Sequence, residues 1–467
     1  MRHHASVAWD QLSYERLGGP LGRHAGRLVG WWRLERVLVA VVAAAFLVSL
    51  AMHQPCLSVG YSRDADLFGR LCYSDVPVLF RERGLVDGQV PYLQSRLEYP
   101  VGTGMVMEVT ALLTRLLFGT GGTPDARSVQ FYGVNIVLFF VLAVVTVLAV
   151  ARLAGPGRAR DALMVAAAPS IILATTINWD LVPVALTVLG LLAWARSRPA
   201  LAGALLGFGG AAKLWPLFLL GPLLLLCVRS RRLAAWGRAA GWAAAAWLVI
   251  NLPFIVLARD QWLVFWDYNR TRAADSRDMY GSVWFALDKA GYAVANVDQL
   301  ANGLFAVLCV GIAVLALAAP VRPRVGQLCF LTIAAFTLTG SVYSPQYVLW
   351  LLPLAVLARP VWRDILIWQA AETFYWFAVW WLLAGDLAPG GADPVEVTYV
   401  LAVALRVAGQ LYLVVMVVRD VLRPAGDPVR ASAVPAHRVP TGPAELVPTG
   451  PAHLAPSGPA PAGRVPT

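Results

Sequence analysis

The sequence is short of charged residues, and lysine is the scarcest of them. Only 14% of the 467 residues are charged, whereas a soluble domain has about 25%. This shortage excludes an ordinary soluble globular protein, and the 58% of hydrophobic residues predicts that most of the chain forms membrane-spanning helices. Lys213 and Lys289 are the two lysines, so arginine supplies nearly all of the net charge of +11. In such a chain a basic excess is typical of cytoplasmic loops and does not indicate nucleic-acid binding.

The familiar motifs of soluble enzymes are absent as well. The sequence has no GxGxxG, no Walker A, no HExxH and no Cys/His spacing typical of a metal site. Asp64 and Asp66 have an Asp-x-Asp spacing and are weak candidates for binding a divalent ion, but two solvated loop carboxylates fit the same pattern. Cys56 and Cys72 flank a polar segment. They are candidates for a disulfide if that segment faces an oxidising compartment, and otherwise are two free thiols.

The apolar runs predict an all-α polytopic membrane protein of about 11–13 transmembrane helices within residues 35–422. Residues 1–34 are polar and arginine-rich, which predicts a cytoplasmic N-terminal segment. Residues 423–467 are rich in Pro, Gly and Ala and repeat with a period of eight, which predicts a disordered cytoplasmic tail.

Two long polar stretches, 53–103 and 258–298, are predicted to be loops on the outer side, because arginines follow the apolar runs on the opposite side. Segment 104–118 is short and carries Glu108 and Arg115. The pattern leaves open whether it crosses the membrane or lies in the interface.

The polar segment 72–104 contains several carboxylates, including Asp75 and Glu98, in an otherwise apolar chain. Asp75 precedes Pro77, so it fits a helix cap, but a carboxylate in an outer loop also fits a general base. Lys213 stands between a glycine pair and Trp-Pro. This pattern resembles the broken helices that line cavities, although a lysine reaching the interface is the alternative.

The order of short motifs resembles the actinobacterial integral-membrane glycosyltransferases of family 87, which are polyprenol-phosphate-mannose-dependent mannosyltransferases of the GT-C fold. The motifs are Cys72-Tyr-Ser-Asp75-x-Pro77, Arg83-Gly-Leu85, Pro91-Tyr92, Glu98-Tyr-Pro-Val-x-Thr-Gly104, Ala212-Lys-Leu-Trp-Pro216, Gly281-Ser-Val-Trp284 and Ser344-Pro-Gln-Tyr347. The resemblance implies a GT-C-like bundle in the plasma membrane with an extracytoplasmic catalytic loop. It also implies an inverting transfer of a sugar, mannose in that family, from a polyprenyl-phosphate donor to a glycolipid or glycan acceptor.

In that family the base is an aspartate of the first outer loop, and Asp75 is the matching position. No cofactor is required by this chemistry, and the need for a divalent metal is left open. The partners implied are membrane lipid, the donor and the acceptor. The expected substrate-binding residues are Glu98, Tyr99, Asp180, Lys213, Arg270, Arg272, Tyr343, Gln346 and Tyr347.

A lipid or polysaccharide transporter, such as a flippase, is the alternative function. It would share the many helices and the intramembrane charges. A transporter is expected to show internal repeats and polar sites near the midplane, whereas here the polar residues gather in outer loops and the halves show no obvious repeat.

Overall fold

The computed structural model describes residues 33–62, 66–271, 280–385 and 394–431. Within these ranges the chain is helical and has no β-strand beyond one isolated bridge between Pro91 and Ser95. The α-helices are α1 (Leu34–Leu57), α2 (Asp75–Glu82), α3 (Val101–Phe118), α4 (Pro124–Ala154), α5 (Leu163–Ala166), α6 (Pro169–Ala174), α7 (Leu181–Ala195), α8 (Pro199–Ala212), α9 (Leu220–Arg229), α10 (Leu233–Leu257), α11 (Arg259–Thr271), α12 (Val283–Lys289), α13 (Val297–Ala318), α14 (Val325–Thr339), α15 (Val348–Ala358), α16 (Trp362–Ala384), α17 (Pro394–Leu422) and α18 (Pro428–Ala431).

Six of these helices, α1, α3, α4, α10, α13 and α17, are long and apolar enough to cross a membrane. Five shorter apolar helical stretches of 10–17 residues accompany them in the described part of the chain. These helices confirm the predicted all-α, polytopic membrane protein. The total of 11–13 spans stays a prediction.

Helix α3 covers the ambiguous segment 104–118. Near its start the Thr103 hydroxyl donates to the Ala212 carbonyl at 2.7 Å, and near its end Arg115 donates to the Leu85 carbonyl at 3.4 Å. Glu108 and Arg115 form an ion pair at 2.8 Å on a shared side of the helix. Helix α3 is also long and apolar enough to cross a membrane, so whether it crosses the membrane or lies in the interface stays open.

The first polar segment, 53–103, packs against the helical bundle. The Arg81 guanidinium donates to Asp125 at the start of α4 at 2.6 Å, and also to the carbonyls of Gly60 and Tyr61. Cys56 and Cys72 are joined by a disulfide, which ties the end of α1 to the residues that precede α2.

The predicted break at Lys213 is present. Helix α8 ends at Ala212, Lys213 has extended backbone angles, and a 3-10 turn over Trp215–Leu219 leads into α9. Two short helices therefore meet at Lys213 in place of one long span.

The predicted start of the tail at residue 423 needs correction. Residues 424–431 form a 3-10 turn and α18, and the buried Asp427 accepts two hydrogen bonds from Arg324 at 2.8 and 2.9 Å. A buried carboxylate requires such a partner, so the folded chain extends at least to Ala431. The eight-residue repeats, and most of the predicted N-terminal segment, lie outside the described residues.

Candidate active site

Asp75 is the first residue of α2, and its neighbour Ser74 caps that helix. The Ser74 hydroxyl accepts from the Val76 amide at 3.2 Å and donates to the Thr176 carbonyl at 2.7 Å. The Asp75 amide donates to the Ile177 carbonyl at 2.8 Å. The helix-cap interpretation of Asp75 is therefore wrong, because Ser74 caps the helix and leaves the Asp75 carboxylate for other contacts.

Three side chains donate hydrogen bonds to the Asp75 carboxylate. Tyr73 donates to Oδ1 at 2.8 Å, while Asn178 and Tyr99 donate to Oδ2 at 2.6 and 3.2 Å. Burial raises the pKa of the Asp75 carboxyl above its ordinary value, and these hydrogen bonds and the positive charge of Lys213 oppose that rise without cancelling it. A carboxylate with a raised pKa is a stronger base than an exposed aspartate.

Tyr99, one of the donors to Asp75, is positioned by contacts of the segment that leads into α3. Tyr92 donates to the carbonyls of Tyr99 and Pro100, both at 2.9 Å, and so fixes the approach to α3. At Gly102 a Cβ would lie 2.7 Å from backbone atoms of Ala211 and Ala212. Only glycine allows this close approach, which brings the start of α3, and with it Tyr99, against the end of α8.

Lys213 is held in place by an acidic and an aromatic environment. Its Nζ lies 3.2 Å from Oδ1 of Asp180, whose side chain is fully buried. The same Asp180 oxygen accepts from the Trp350 indole at 2.6 Å. The ammonium group also lies 5.4 Å from the ring centre of Tyr99 and 5.8 Å from that of Tyr347, within the range of cation–π attraction.

A cavity of about 740 Å³, called here the reaction cavity, joins these groups. Asp75 and Lys213 both line it, as does Arg270 on α11. Part of the wall is aromatic: the rings of Phe218, Phe305 and Phe336 contact one another with centroids 5.0–5.5 Å apart. The cavity therefore combines a base, cations and an apolar wall.

The structure brings most of the predicted residues to this cavity, but in different ways. Glu98, Tyr99, Gln346 and Tyr347 line it directly. Gln346 is buried and its side-chain oxygen has no hydrogen-bond partner within the described chain. Asp180 stays behind the wall, where it acts on Lys213, so its predicted contact with substrate is not supported.

Tyr343 faces away from the cavity. Its hydroxyl donates to both oxygens of the buried Glu372 at 3.0 Å, and the Arg406 guanidinium lies 3.7 Å from its ring centre. The predicted substrate-binding role of Tyr343 therefore has no support from its position.

The weak metal candidates stay without support. Asp66 accepts from the Gly69 amide at 2.7 Å in a local turn. Asp64 and Arg272 lie outside the described residues, and among those described no group of three potential ligands could hold a metal ion.

Sequence reasoning assigned no role in the site to Tyr73, Asn178 or Arg83, although Tyr73 and Arg83 belong to the quoted motifs. Arg83 binds Glu98 through two hydrogen bonds of 2.9 and 2.7 Å. Asn178 belongs to the polar tip Asn-Trp-Asp between two apolar runs, which was a usable signal, but nothing in the sequence connects that tip with Asp75.

Comparisons with known proteins identify the family. The model of glycosyltransferase family 87 matches residues 99–342, more than half of the chain, and Asp75 precedes that range. No curated protein matches the chain. A solved structure with a similar course is that of ArnT from Cupriavidus metallidurans bound to undecaprenyl phosphate, with 16% identity over 84% of this chain and 78% of that chain and a TM-score of 0.43. From the family match, the chain belongs to glycosyltransferase family 87.

Proposed function

We propose that the protein is an inverting glycosyltransferase that moves mannose from a polyprenyl-phosphate donor to a glycolipid or glycan acceptor. One observation carries this proposal: the Asp75 carboxylate and the Lys213 ammonium line the same cavity, beside an aromatic wall. A base, a cation and an apolar surface are the three things that a sugar carried on a lipid phosphate requires.

In the proposed reaction, Asp75 takes the proton from an acceptor hydroxyl while that oxygen bonds to the anomeric carbon of the donor. The bond between the anomeric carbon and the phosphate oxygen breaks with its electron pair, and the polyprenyl phosphate leaves as an anion. Attack opposite to the leaving phosphate inverts the anomeric configuration. The scheme needs no cofactor and assigns no step to a metal.

Cations stabilise the leaving phosphate in this scheme. Lys213 is the main candidate because Asp180 and the aromatic rings fix its position before the donor arrives, and fixed charges stabilise a developing anion most effectively. Arg270 lines the same cavity, and its planar guanidinium suits a phosphate. Arg272 is proposed for the same task from the motif resemblance alone.

The donor's lipid chain is proposed to lie along the cluster of Phe218, Phe305 and Phe336, which offers apolar surface in the wall of the reaction cavity. The choice of mannose rests on the motif resemblance. The unpartnered oxygen of Gln346 is proposed to accept a hydrogen bond from a sugar hydroxyl, because a buried acceptor without a partner is costly.

The site is proposed to face the outside of the plasma membrane. The Cys56–Cys72 disulfide lies next to Asp75, and disulfides are typical of oxidising compartments. Arginines follow α4, α7 and α9 at the ends remote from Asp180 and Lys213, which agrees with a cytoplasmic location of those ends.

The test is Asp75→Asn in membranes supplied with labelled polyprenyl-phosphate mannose. The amide keeps the size of the side chain but cannot take a proton, so we expect transfer to fall by roughly 10²–10⁴-fold. Asp260→Asn, at an exposed position on α11 outside the reaction cavity, is the matched control and is expected to keep wild-type transfer. Wild-type turnover by correctly folded Asp75→Asn protein would remove Asp75 from the mechanism.

A further inference from the structure

A second cavity lies beside the reaction cavity and has a different character. It measures about 840 Å³ and is formed by the polar segment between Arg81 and Glu98 together with the last turns of α11. The described residues of its lining include one tyrosine, Tyr268, and no Trp or Phe. We call it the polar chamber.

The two cavities are adjacent because they share wall residues. Glu82, Arg83, Glu98 and Tyr268 line both. Asp75 and Glu82 are the two ends of α2, so their Cα atoms lie roughly 10 Å apart at 1.5 Å per helical residue. A molecule that reaches from Asp75 past Glu82 into the chamber is therefore longer than a single sugar ring.

The charges of the chamber disfavour an anionic occupant. Arg81 is occupied by Asp125, and Arg83 is paired with Glu98. Arg83 also lies 4.0 Å from Glu82. Among the lining residues that the structure describes, Arg96 is the arginine outside these pairs, and two carboxylates, Asp87 and Asp267, are outside them. Such a surface disfavours phosphate and offers acceptors and donors to hydroxyl groups.

We propose that the polar chamber binds the acceptor, and that this acceptor is a neutral oligosaccharide of at least two sugar residues whose reactive hydroxyl reaches Asp75. This inference rests on the proposed function and makes its acceptor specific. It separates the acceptor from the donor, whose phosphate is attracted by Lys213 in the neighbouring cavity. The Arg83–Glu98 pair stands at the boundary and contacts both spaces.

The experiment compares octyl glycosides with one, two and three mannose residues as acceptors, using membranes that contain the full chain and labelled polyprenyl-phosphate mannose. The wild-type protein is expected to show a kcat/KM at least ten times higher for the trisaccharide than for the monosaccharide. In the double variant Arg96→Ala/Asp267→Ala, both exposed positions in the chamber, this ratio is expected to fall toward one through a higher KM for the trisaccharide. Arg259→Ala/Asp260→Ala also removes one positive and one negative charge, at exposed positions of α11 outside both cavities, and is expected to keep the ratio.

Three results would overturn the proposal. They are a wild-type ratio near one, a ratio that the chamber variant leaves unchanged, and transfer to phosphatidylinositol in vesicles that equals or exceeds transfer to the trisaccharide. Release of labelled mannose to water is measured in parallel. If it and all transfer are absent from the wild-type protein, the proposed function itself fails, whereas transfer without a dependence on chain length contradicts the chamber alone.

Discussion

At the scale of single residues, the most informative group is the carboxylate of Asp75 with its three donors. Tyr73, Tyr99 and Asn178 fix both oxygens, so the carboxylate is already oriented before an acceptor binds. Such fixed positioning is a large part of the catalytic effect of a general base. The same packing removes water and raises the pKa of the carboxyl.

The first prediction concerns pH. A general base works in its ionised form, so activity is complete above its pKa and is lost as the pH falls through it. Because burial raises the pKa of Asp75, the acid limb of kcat/KM is expected above the value of about 3.9 typical of a free aspartate. Tyr73→Phe removes a hydrogen bond that favours the ionised form, and is expected to move the limb to still higher pH.

The measurement is a pH–rate profile of transfer in detergent-solubilised protein. Tyr292→Phe, at a position that is 70% exposed, is the control and should leave the profile in place. A limb that moves to lower pH in Tyr73→Phe would contradict the assignment of Asp75 as the base.

The second prediction separates the structural from the functional part of Lys213. Lys213→Met leaves the fully buried Asp180 with the Trp350 indole but without its cation, and breaking such a pair costs about 3–5 kcal/mol of folding free energy. Lys213→Met/Asp180→Asn removes both charges and is expected to recover most of that stability, yet transfer should stay low because the leaving phosphate has lost its cation.

Thermal unfolding in detergent gives the stability, and labelled-donor turnover gives the activity. Recovery of both in the double variant would show that Lys213 only neutralises Asp180.

At the scale of elements, the site depends on short helices that stop at the right place. Helix α8 ends at Ala212 and presents Lys213 in an extended conformation, while α2 begins at Asp75 and points its first carboxylate into the cavity. The proposed catalytic groups therefore lie at helix ends. The position of α8 is fixed by a close crossing with α10 between small residues. Gly203 and Gly207 of α8 lie against the backbone of Ala239 and Ala243 of α10, as in membrane helices that pack through small residues four apart.

The third prediction tests this crossing. Gly207→Leu places a large side chain where the backbone of α10 already lies, so the two helices must separate, and we expect little folded protein. Gly241→Leu on α10 has open space around its Cβ position and is expected to fold normally. Size-exclusion profiles of fluorescent fusions distinguish the two. Equal, monodisperse yields would show that the crossing does not limit folding.

At the scale of the whole molecule, the sequence predicted the class of fold and several separate pieces of the site. The low charge predicted the helical membrane protein, and the Gly-Gly and Trp-Pro flanks predicted the break at Lys213, because both are local signals. The contact of Asn178 with Asp75 joins residues 103 positions apart, and no local pattern contains it. Tyr343 shows the converse. It precedes the Ser344-Pro-Gln-Tyr347 motif and was expected to bind substrate, but the direction of its side chain depends on packing against Glu372 and Arg406.

The fourth prediction concerns the orientation of the whole chain. Gln89→Cys, at an exposed position of the first polar segment, is expected to react with a membrane-impermeant thiol reagent added to intact cells. Arg160→Cys, exposed after the far end of α4, is expected to react only after the cells are opened. The reverse pattern would place the reaction cavity on the cytoplasmic side.

The presence of two adjoining cavities also bears on the order of events in a turnover. If each substrate has its own space, neither must leave before the other enters, and the kinetics are expected to follow a ternary complex rather than a ping-pong scheme. Released polyprenyl phosphate then competes with the donor but not with the acceptor. The pair formed by Arg83 and Glu98 lies between the two cavities. The pattern of product inhibition therefore tests whether donor and acceptor occupy separate cavities.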